Sequence, residues 1–242
     1  METKFSTEQY QSSYPEGGQY HWWPLARARA VSHTLARTIS PGSPVLDVGC
    51  GRGIVVDYLR QSGVNCFGVE PAAAQPLDGV AEFITTGLHA EELPLANRQN
   101  IETVLLLDVI EHLPDPATFL SKLPESFPQL ASVVVTVPAR QELWSNYDEY
   151  FGHYKRYARP DIKELSDQLN WPLVDLRYFF HGVYVPAWFA AKINRGRATE
   201  LTPPTGIFKS IHRFVAAAMF FEYLLLPRGL AGTSLLAVFK LS

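Results

Sequence analysis

Val45-Leu46-Asp47-Val48-Gly49-Cys50-Gly51-Arg52-Gly53 is the stretch that decides the fold, because an apolar strand here runs directly into a glycine-rich turn. Its carboxylate, Asp47, lies two residues before the first glycine, and a second acid, Glu70, ends the next strand-like run at residues 64–70. Glycines let the backbone turn tightly and approach a ligand closely. An acid at the tip of the second strand can accept both hydroxyl hydrogens of a ribose. The pattern therefore predicts a nucleoside site at the carboxyl end of a parallel sheet.

The spacing of the glycines narrows the kind of nucleoside. The dinucleotide fingerprint G-x-G-x-x-G needs a glycine at position 54, where this chain has Ile54, and the observed spacing is G-x-G-x-G. Asp47 would repel a pyrophosphate and attract a ligand that carries an ammonium or sulfonium group. We therefore expect a positively charged nucleoside rather than a dinucleotide.

This arrangement resembles motif I of the class I S-adenosylmethionine (SAM) dependent methyltransferases, and Glu70 resembles their ribose-binding acid. The resemblance implies S-adenosyl-L-methionine as the cofactor. Together with the later motifs it implies these cofactor-binding positions: Asp47, Gly49, Cys50, Gly51, Gly53, Glu70, Pro71, His89, Asp108 and Val109.

Strand-like and helix-like segments alternate along the chain. The predicted strands are residues 45–48, 64–70, 81–84, 102–109, 132–137, 173–180 and 234–241, and the predicted helices include residues 25–38, 54–62, 115–122 and 160–169. The alternation predicts an α/β fold with a doubly wound, mostly parallel sheet. The resemblance implies the seven-stranded, Rossmann-like form of this sheet. We expect a single domain, residues 1–242, in which residues 1–40 form an N-terminal helical cap.

Residues 181–231 form a predicted helical insert before the last strand, with apolar helices at 183–193 and 207–226. The run at 214–226 is interrupted by Glu222 and is too short to span a bilayer comfortably. Its apolar surface has to be buried against something, so we expect the insert to serve as a lid, a homodimer interface or a membrane-surface element. Residues 181–242 carry 7 Lys/Arg against 2 Asp/Glu, whereas residues 1–180 carry 14 against 22. This basic excess indicates either an anionic neighbour or a solvated basic face.

Composition excludes several classes of protein. Two cysteines, Cys50 and Cys66, make no disulfide framework, and the first residues contain no apolar signal core, so we expect a cytoplasmic protein, with peripheral membrane contact through the insert as an option. Nucleic-acid binding is disfavoured because the catalytic part is acidic and has no basic-aromatic stripe. The seven histidines show no paired helical spacing, so no metal site is predicted.

The fourth strand ends in Leu107-Asp108-Val109-Ile110-Glu111-His112-Leu113-Pro114, which resembles the ubiquinone-type O-methyltransferase group. That resemblance places Asp108 beside the sulfonium end of the donor. His112 can serve as a general base because imidazole titrates near neutrality, and its alternative role is structural support. In residues 87–95, His89 stands where many relatives have the acid that accepts the adenine amino group.

Residues 138–149 and 152–159, with the early His-Trp-Trp at 21–23, resemble one branch of these enzymes. The loop leaves the carboxyl end of a strand, where α/β ligands bind. The candidate catalytic residues are His153, His112 and Tyr154, and the candidate substrate-binding residues are Arg156, Arg159, Tyr157 and Trp22. The arginines suit a phosphate or a carboxylate. Alternatively they pair with Asp148, Glu149 or Asp161 within a structural loop, and Trp22 is an aromatic anchor.

These features predict a biosynthetic enzyme that moves the SAM methyl group to an oxygen, hydroxyl or carboxyl, of a small or amphipathic metabolite. A histidine base suits such an acceptor. Three alternatives stay open: N- or C-methylation of a secondary metabolite, methylation of a lipid-linked saccharide at the membrane surface, and a non-catalytic SAM-binding partner subunit.

Overall fold

A computed structural model describes residues 6–193 and 196–241. Across these residues seven strands form one sheet in the order β3-β2-β1-β4-β5-β7-β6. The strands are β1 Val45–Val48, β2 Cys66–Glu70, β3 Ile84–Thr86, β4 Thr103–Leu107, β5 Ser132–Pro138, β6 Leu173–Phe179 and β7 Ser234–Lys240. Strand β7 runs antiparallel to both of its neighbours, and the pairs formed by β1 to β5 are parallel. The predicted doubly wound, mostly parallel sheet is confirmed.

Helices lie on both faces of this sheet. In the described residues they are α1 Thr7–Ser13, α2 Trp22–Thr38, α3 Ile54–Gln61, α4 Leu95–Arg98, α5 Pro116–Ser121, α6 Leu123–Ser126, α7 Asn146–Tyr150, α8 Arg159–Leu169, α9 Tyr184–Lys192 and α10 Phe208–Leu225. The side chains of β4 and β5 are buried nearly throughout, as expected of strands covered on both faces. One face packs under α2, α3 and α10, and the other under α5 and α8.

The third strand differs from its prediction at residues 81–84. A 3-10 helix, Asp78–Phe83, occupies most of that stretch, and the strand begins at Ile84. Pairing with β2 sets this start, because Ile84 lies opposite Gly68 in the parallel register. The strand order reverses between β1 and β4, so the loops after these two strands flank the crevice in which such sheets bind ligands.

The predicted insert contains α9 and α10. Helix α10 packs along α2 and buries Ala216 and Tyr223, while its apolar outer face stays exposed: Phe214 is 75% and Leu225 is 79% exposed. Among the residues that the structure describes, no helix combines the length and apolar character needed to cross a bilayer.

Gly232, just before β7, packs directly against the chain at the end of β6. A Cβ there would collide with the carbonyl oxygen of Phe179 and lie 2.9 Å from its carbonyl carbon. Because these are backbone atoms, we expect Gly232→Ala to lower the free energy of unfolding by about 1–3 kcal/mol. Urea denaturation measures the loss. Gly79→Ala is the control, since its Cβ would find its nearest neighbour at 3.8 Å; equal midpoints for the two variants would contradict the expectation.

Candidate active site

The glycine-rich turn after β1 has the backbone that its sequence predicts. Gly49, Gly51 and Gly53 have φ angles of +77°, +57° and +81°, a region that other residues rarely adopt. A Cβ at Gly53 would also collide with the end of the Ile84 side chain, which would have to shift. Helix α3 begins at the next residue, so its first N–H groups lie beside the turn.

Two buried carboxylates flank this turn. Glu70 accepts hydrogen bonds from the backbone N–H of Gly51 at 2.8 Å and of Ala72 at 2.9 Å. Burial nevertheless raises the pKa of Glu70. Asp47 is 2% exposed, and no hydrogen-bond partner for its Oδ1 is found in the described residues. Burial raises the pKa of Asp47 to about 7, against the opposing charge of Arg27.

Arg27, on α2, belongs to the site, although it was not among the predicted site residues. Its guanidinium forms an ion pair with Asp108 and lies 4.4 Å over the ring of Trp23. Asp108 has a left-handed φ of 60° and also accepts a hydrogen bond from Thr136 Oγ1 at 3.2 Å. A cation and a carboxylate therefore stand together beside the glycine turn.

The N-terminal cap and the insert together roof this cleft. The ring of Tyr14 lies 2.5 Å from the place that a Cβ on Gly51 would occupy. Leu201, in the insert, donates its N–H to the carbonyl of Ser12 at 3.0 Å, and both Tyr14 and Leu201 line the cavity beside Asp47. Among the three roles predicted for the insert, this contact favours a lid.

A second cluster lies in the loops after β4 and β5. His112 and His153 have ring centroids 4.7 Å apart in an edge-on arrangement. Nδ1 of His153 and Oδ1 of Asp148 are 2.9 Å apart, and Asp148 also accepts from Arg156 Nε at 2.8 Å. Burial alone would raise the pKa of Asp148, but the hydrogen bonds from His153 and Arg156 outweigh it and lower this pKa. Burial, followed by the charge of His153, lowers the pKa of His112 to about 4.

Glu111 joins these histidines, although it was not among the predicted site residues. It is 1% exposed, and neither carboxylate oxygen has a hydrogen-bond partner within residues 6–193 and 196–241. One donor atom from each of Glu111, His112 and His153 lies within 4.8 Å of the other two, so the three could hold a metal ion. The fold joins these residues from two loops, so their spacing along the chain does not reveal the grouping, and the absence of a metal site stays a prediction.

Arg156 and Tyr157, which were predicted to bind the substrate, have partners within the protein. Both are buried and bound to protein: Arg156 pairs with Asp148, and the hydroxyl of Tyr157 donates to the carbonyl of Ile110 at 3.2 Å. These contacts favour the alternative of a structural loop for both residues. Arg159 lies against Gly229, on the side of the loop after α10, whereas Tyr154 remains half-exposed beside the cluster, its N–H bonded to the carbonyl of Glu111.

The other predicted positions take varied places. Trp22 packs edge-on against Phe180 at 5.6 Å, an anchoring contact, and its neighbour Trp23 lines the cleft instead. Val109 lies against Gly49, and Cys50 is a free, buried thiol that lines the cleft. Pro71 follows Glu70 directly and is half-buried. His89 donates its backbone N–H to the carboxylate of Glu92 at 2.7 Å, which fixes a short 3-10 helix and leaves the adenine contact a prediction.

Residues 22–176 match the methyltransferase domain family, and this span contains the glycine turn, both carboxylates and the histidine cluster. The chain belongs to this family. It is a class I SAM-dependent methyltransferase, as motif I indicated.

The relatives share only part of their length with this methyltransferase. It is 30% identical over 118 residues to the ubiquinone biosynthesis O-methyltransferase of Hahella chejuensis, which covers 42% of this chain and 50% of that protein. The protein of the same description from Pseudomonas aeruginosa is 37% identical over 90 residues, covering 33% and 37%. The chain thus spans half the length, or less, of these relatives.

Solved structures show the shared fold. A complex of the Haloferax volcanii Trm112 methyltransferase activator and the putative methyltransferase matches with a TM-score of 0.56, 13% identity and coverage of 99% of this chain and 98% of that chain. A putative sarcosine dimethylglycine methyltransferase from Galdieria sulphuraria matches with a TM-score of 0.52 and 15% identity. That match covers 89% of this chain and 84% of the other.

The residues around the cleft of this methyltransferase suit SAM as its cofactor. The unpartnered oxygen of the buried Asp47 provides an acceptor for an ammonium group, and Arg27 provides a counter-charge for a carboxylate. Glu70 retains lone pairs for two ribose hydroxyls after accepting two backbone N–H groups.

The raised pKa of Asp47 predicts how donor affinity depends on pH. An ammonium group binds the ionised carboxylate, and the ionised fraction of a group with a pKa of about 7 increases through neutrality. Affinity for S-adenosylhomocysteine should therefore rise about tenfold between pH 6 and pH 8. Calorimetry at several pH values measures the slope. Asp47→Asn should abolish it, and an equal slope in that variant would assign the titration to another group.

Proposed function

We propose that this methyltransferase moves a methyl group from SAM to an oxygen of a small or amphipathic acceptor. The cluster of His112, His153 and Glu111 carries the proposal. It lies in the loops after β4 and β5, and Asp108, which is paired with Arg27 beside the donor cleft, is only three residues before Glu111. Such a cluster suits an acceptor that has to lose a proton.

SAM, when bound, supplies a methyl carbon that its sulfonium already activates. The protein then has to align the acceptor and remove its proton. Asp148 holds the Nδ1 side of His153, which leaves Nε2 for the acceptor hydroxyl. His112, edge-on to His153, closes the other side of that position.

A specific observation favours a second form of the same function, in which the cluster binds a divalent cation. Glu111 buries a carboxylate whose two oxygens have no protein partner in the described part of the chain. Burial, followed by the charge of Asp108, raises its pKa and favours the neutral form, whereas a bound cation would compensate the ionised form. Both histidines have supporting hydrogen bonds of the kind that orient metal ligands, His153 to Asp148 and His112 to the backbone of Phe151. A cation there would hold the acceptor oxygen and favour its deprotonated form.

Chelation tests this form directly. Mixed imidazole and carboxylate ligands suit Mn²⁺ or Zn²⁺, so we expect dialysis against EDTA to lower the transfer rate about tenfold or more and either ion to restore it. Glu111→Gln should weaken binding of the ion, measured by calorimetry on the chelated protein. A rate unaffected by EDTA, in protein that contains no metal by elemental analysis, would leave proton removal to the histidines alone.

The exposed apolar surface of the chain bears on the class of acceptor. The exposed apolar face of α9 and α10, with Phe189 and Phe214, favours an amphipathic acceptor over a fully polar one. The test is transfer of an isotope-labelled methyl group to a panel of phenols, catechols, alcohols, carboxylic acids and amines, together with a lipid-linked saccharide in vesicles. Labelled ethers or esters would support the proposal. Label only on nitrogen or carbon would overturn it, and donor binding without turnover on any acceptor would support the partner-subunit alternative.

A further inference from the structure

A second cavity, of about 310 Å³, lies between α2, α10 and the edge strand β6. Its lining includes His33 and Arg37 from the C-terminal half of α2 and Arg177 from β6. Arg37 is ten residues beyond Arg27 on the same helix, which is about 15 Å at 1.5 Å per residue. The cavity is therefore separate from the cofactor cleft, and its size is that of a small-molecule site.

The charges in this cavity do not balance. Arg228 pairs with Asp175 at 3.1 Å, whereas Arg37 and Arg177 add two positive charges without a second carboxylate among the lining residues. Arg177 is only 8% exposed, and within the described residues its Nε has no hydrogen-bond partner. Its guanidinium lies 4.0 Å over the ring of Tyr223, which holds it in place. Oδ1 of Asp175 is also buried without a hydrogen-bond partner in the described residues, but the lining keeps an excess of two positive charges, so the unused donor of Arg177 points to an anion.

We propose that this cavity binds a phosphate ester through Arg37 and Arg177. A phosphate monoester carries a charge of about −1.5 to −2 at pH 7, which matches the excess of two positive charges. Its oxygens also accept the paired N–H donors of a guanidinium. The phosphate group belongs either to a free metabolite or to a lipid headgroup, since the exposed Leu225 lies next to the lining residue Leu224.

His33 provides a reporter inside the cavity. Burial lowers its pKa, and the charges of Arg37 and Arg177 lower it further, against an opposing effect of Asp175. The rings of Phe220 and Tyr223 pack edge-on against it. A bound phosphate would offset the two arginine charges, so the pKa of His33 should rise on binding.

The experiment follows the imidazole signals of His33 by NMR in the full chain, saturated with S-adenosylhomocysteine. Inorganic phosphate and glycerol 3-phosphate are added at constant ionic strength, with chloride as the reference anion. We expect both phosphates to raise the pKa of His33. Arg37→Gln, an exposed position, should weaken this binding about tenfold or more, the usual consequence of losing a charge-assisted hydrogen bond. Lys163→Gln, on α8 across the sheet, is the control and should leave it unchanged.

Vesicle flotation separates the two sources of phosphate. Binding of the soluble phosphates identifies a free ester. The ligand is a lipid headgroup if three results hold together. The soluble phosphates leave the pKa of His33 unchanged, the chain floats with phosphatidylglycerol vesicles but not with phosphatidylcholine vesicles, and Arg37→Gln reduces that flotation. The proposal is overturned if neither form of phosphate acts on His33 or on flotation, or if Arg37→Gln and Lys163→Gln respond equally.

Discussion

Glu70→Ala should reduce affinity for S-adenosylhomocysteine by about 100-fold or more. The carboxylate accepts two backbone N–H bonds that shape the turn, at Gly51 and Ala72, and it is the expected acceptor of the ribose hydroxyls. Hydrogen bonds to a charged group contribute about 1.5–3 kcal/mol each, so losing two on the ligand side accounts for this factor. Calorimetry on the folded variant measures it.

The matched control is Glu91→Ala, which removes an exposed acid from the short helix beyond β3. Its affinity should equal that of the unmodified chain. Glu70→Gln preserves the side-chain volume and keeps one oxygen acceptor, so it should lie between the two. If Glu70→Ala bound the ligand within about twofold of the unmodified chain, the ribose assignment would be wrong.

His153→Ala should lower the transfer rate by about 10²- to 10⁴-fold, the range for loss of acid–base catalysis. Donor affinity should stay the same, because the proposed function assigns His153 to the acceptor, and its contacts are to Asp148 and His112 rather than to the glycine turn. The rate with the acceptor found in the panel, and calorimetry with S-adenosylhomocysteine, check both expectations.

Glu149→Gln, on the same loop, is the control and should retain the full rate, since this side chain is exposed. His112→Ala and the double variant complete the series. Because the two rings share one site, their losses should not add. Full activity in both single variants and in the double variant would remove the histidines from the mechanism.

The fold was predictable because its signals are local. The buried strands β4 and β5 are runs of Val and Leu, and the ends of α8 coincide almost with the predicted residues 160–169, since Pro160 suits a first helical turn. The third strand was misplaced because three paired residues are too few to produce a recognisable alternation.

The site was only partly predictable, because its chemistry depends on contacts between distant segments. Polar residues of an amphipathic helix usually face solvent, so the sequence gives no reason to place Arg27 in the site. The fold brings it into contact with Asp108. Glu111 precedes His112 directly, yet its isolation from protein partners follows from burial. Conversely, Arg156 is of a residue type that suits an anionic ligand, but it forms an ion pair with Asp148 within the loop.

Tyr14 over Gly51, with Leu201 tied to Ser12, has a consequence for the order of events in turnover. We expect exchange of the cosubstrate on this side of the cleft to require the separation of two segments nearly 190 positions apart.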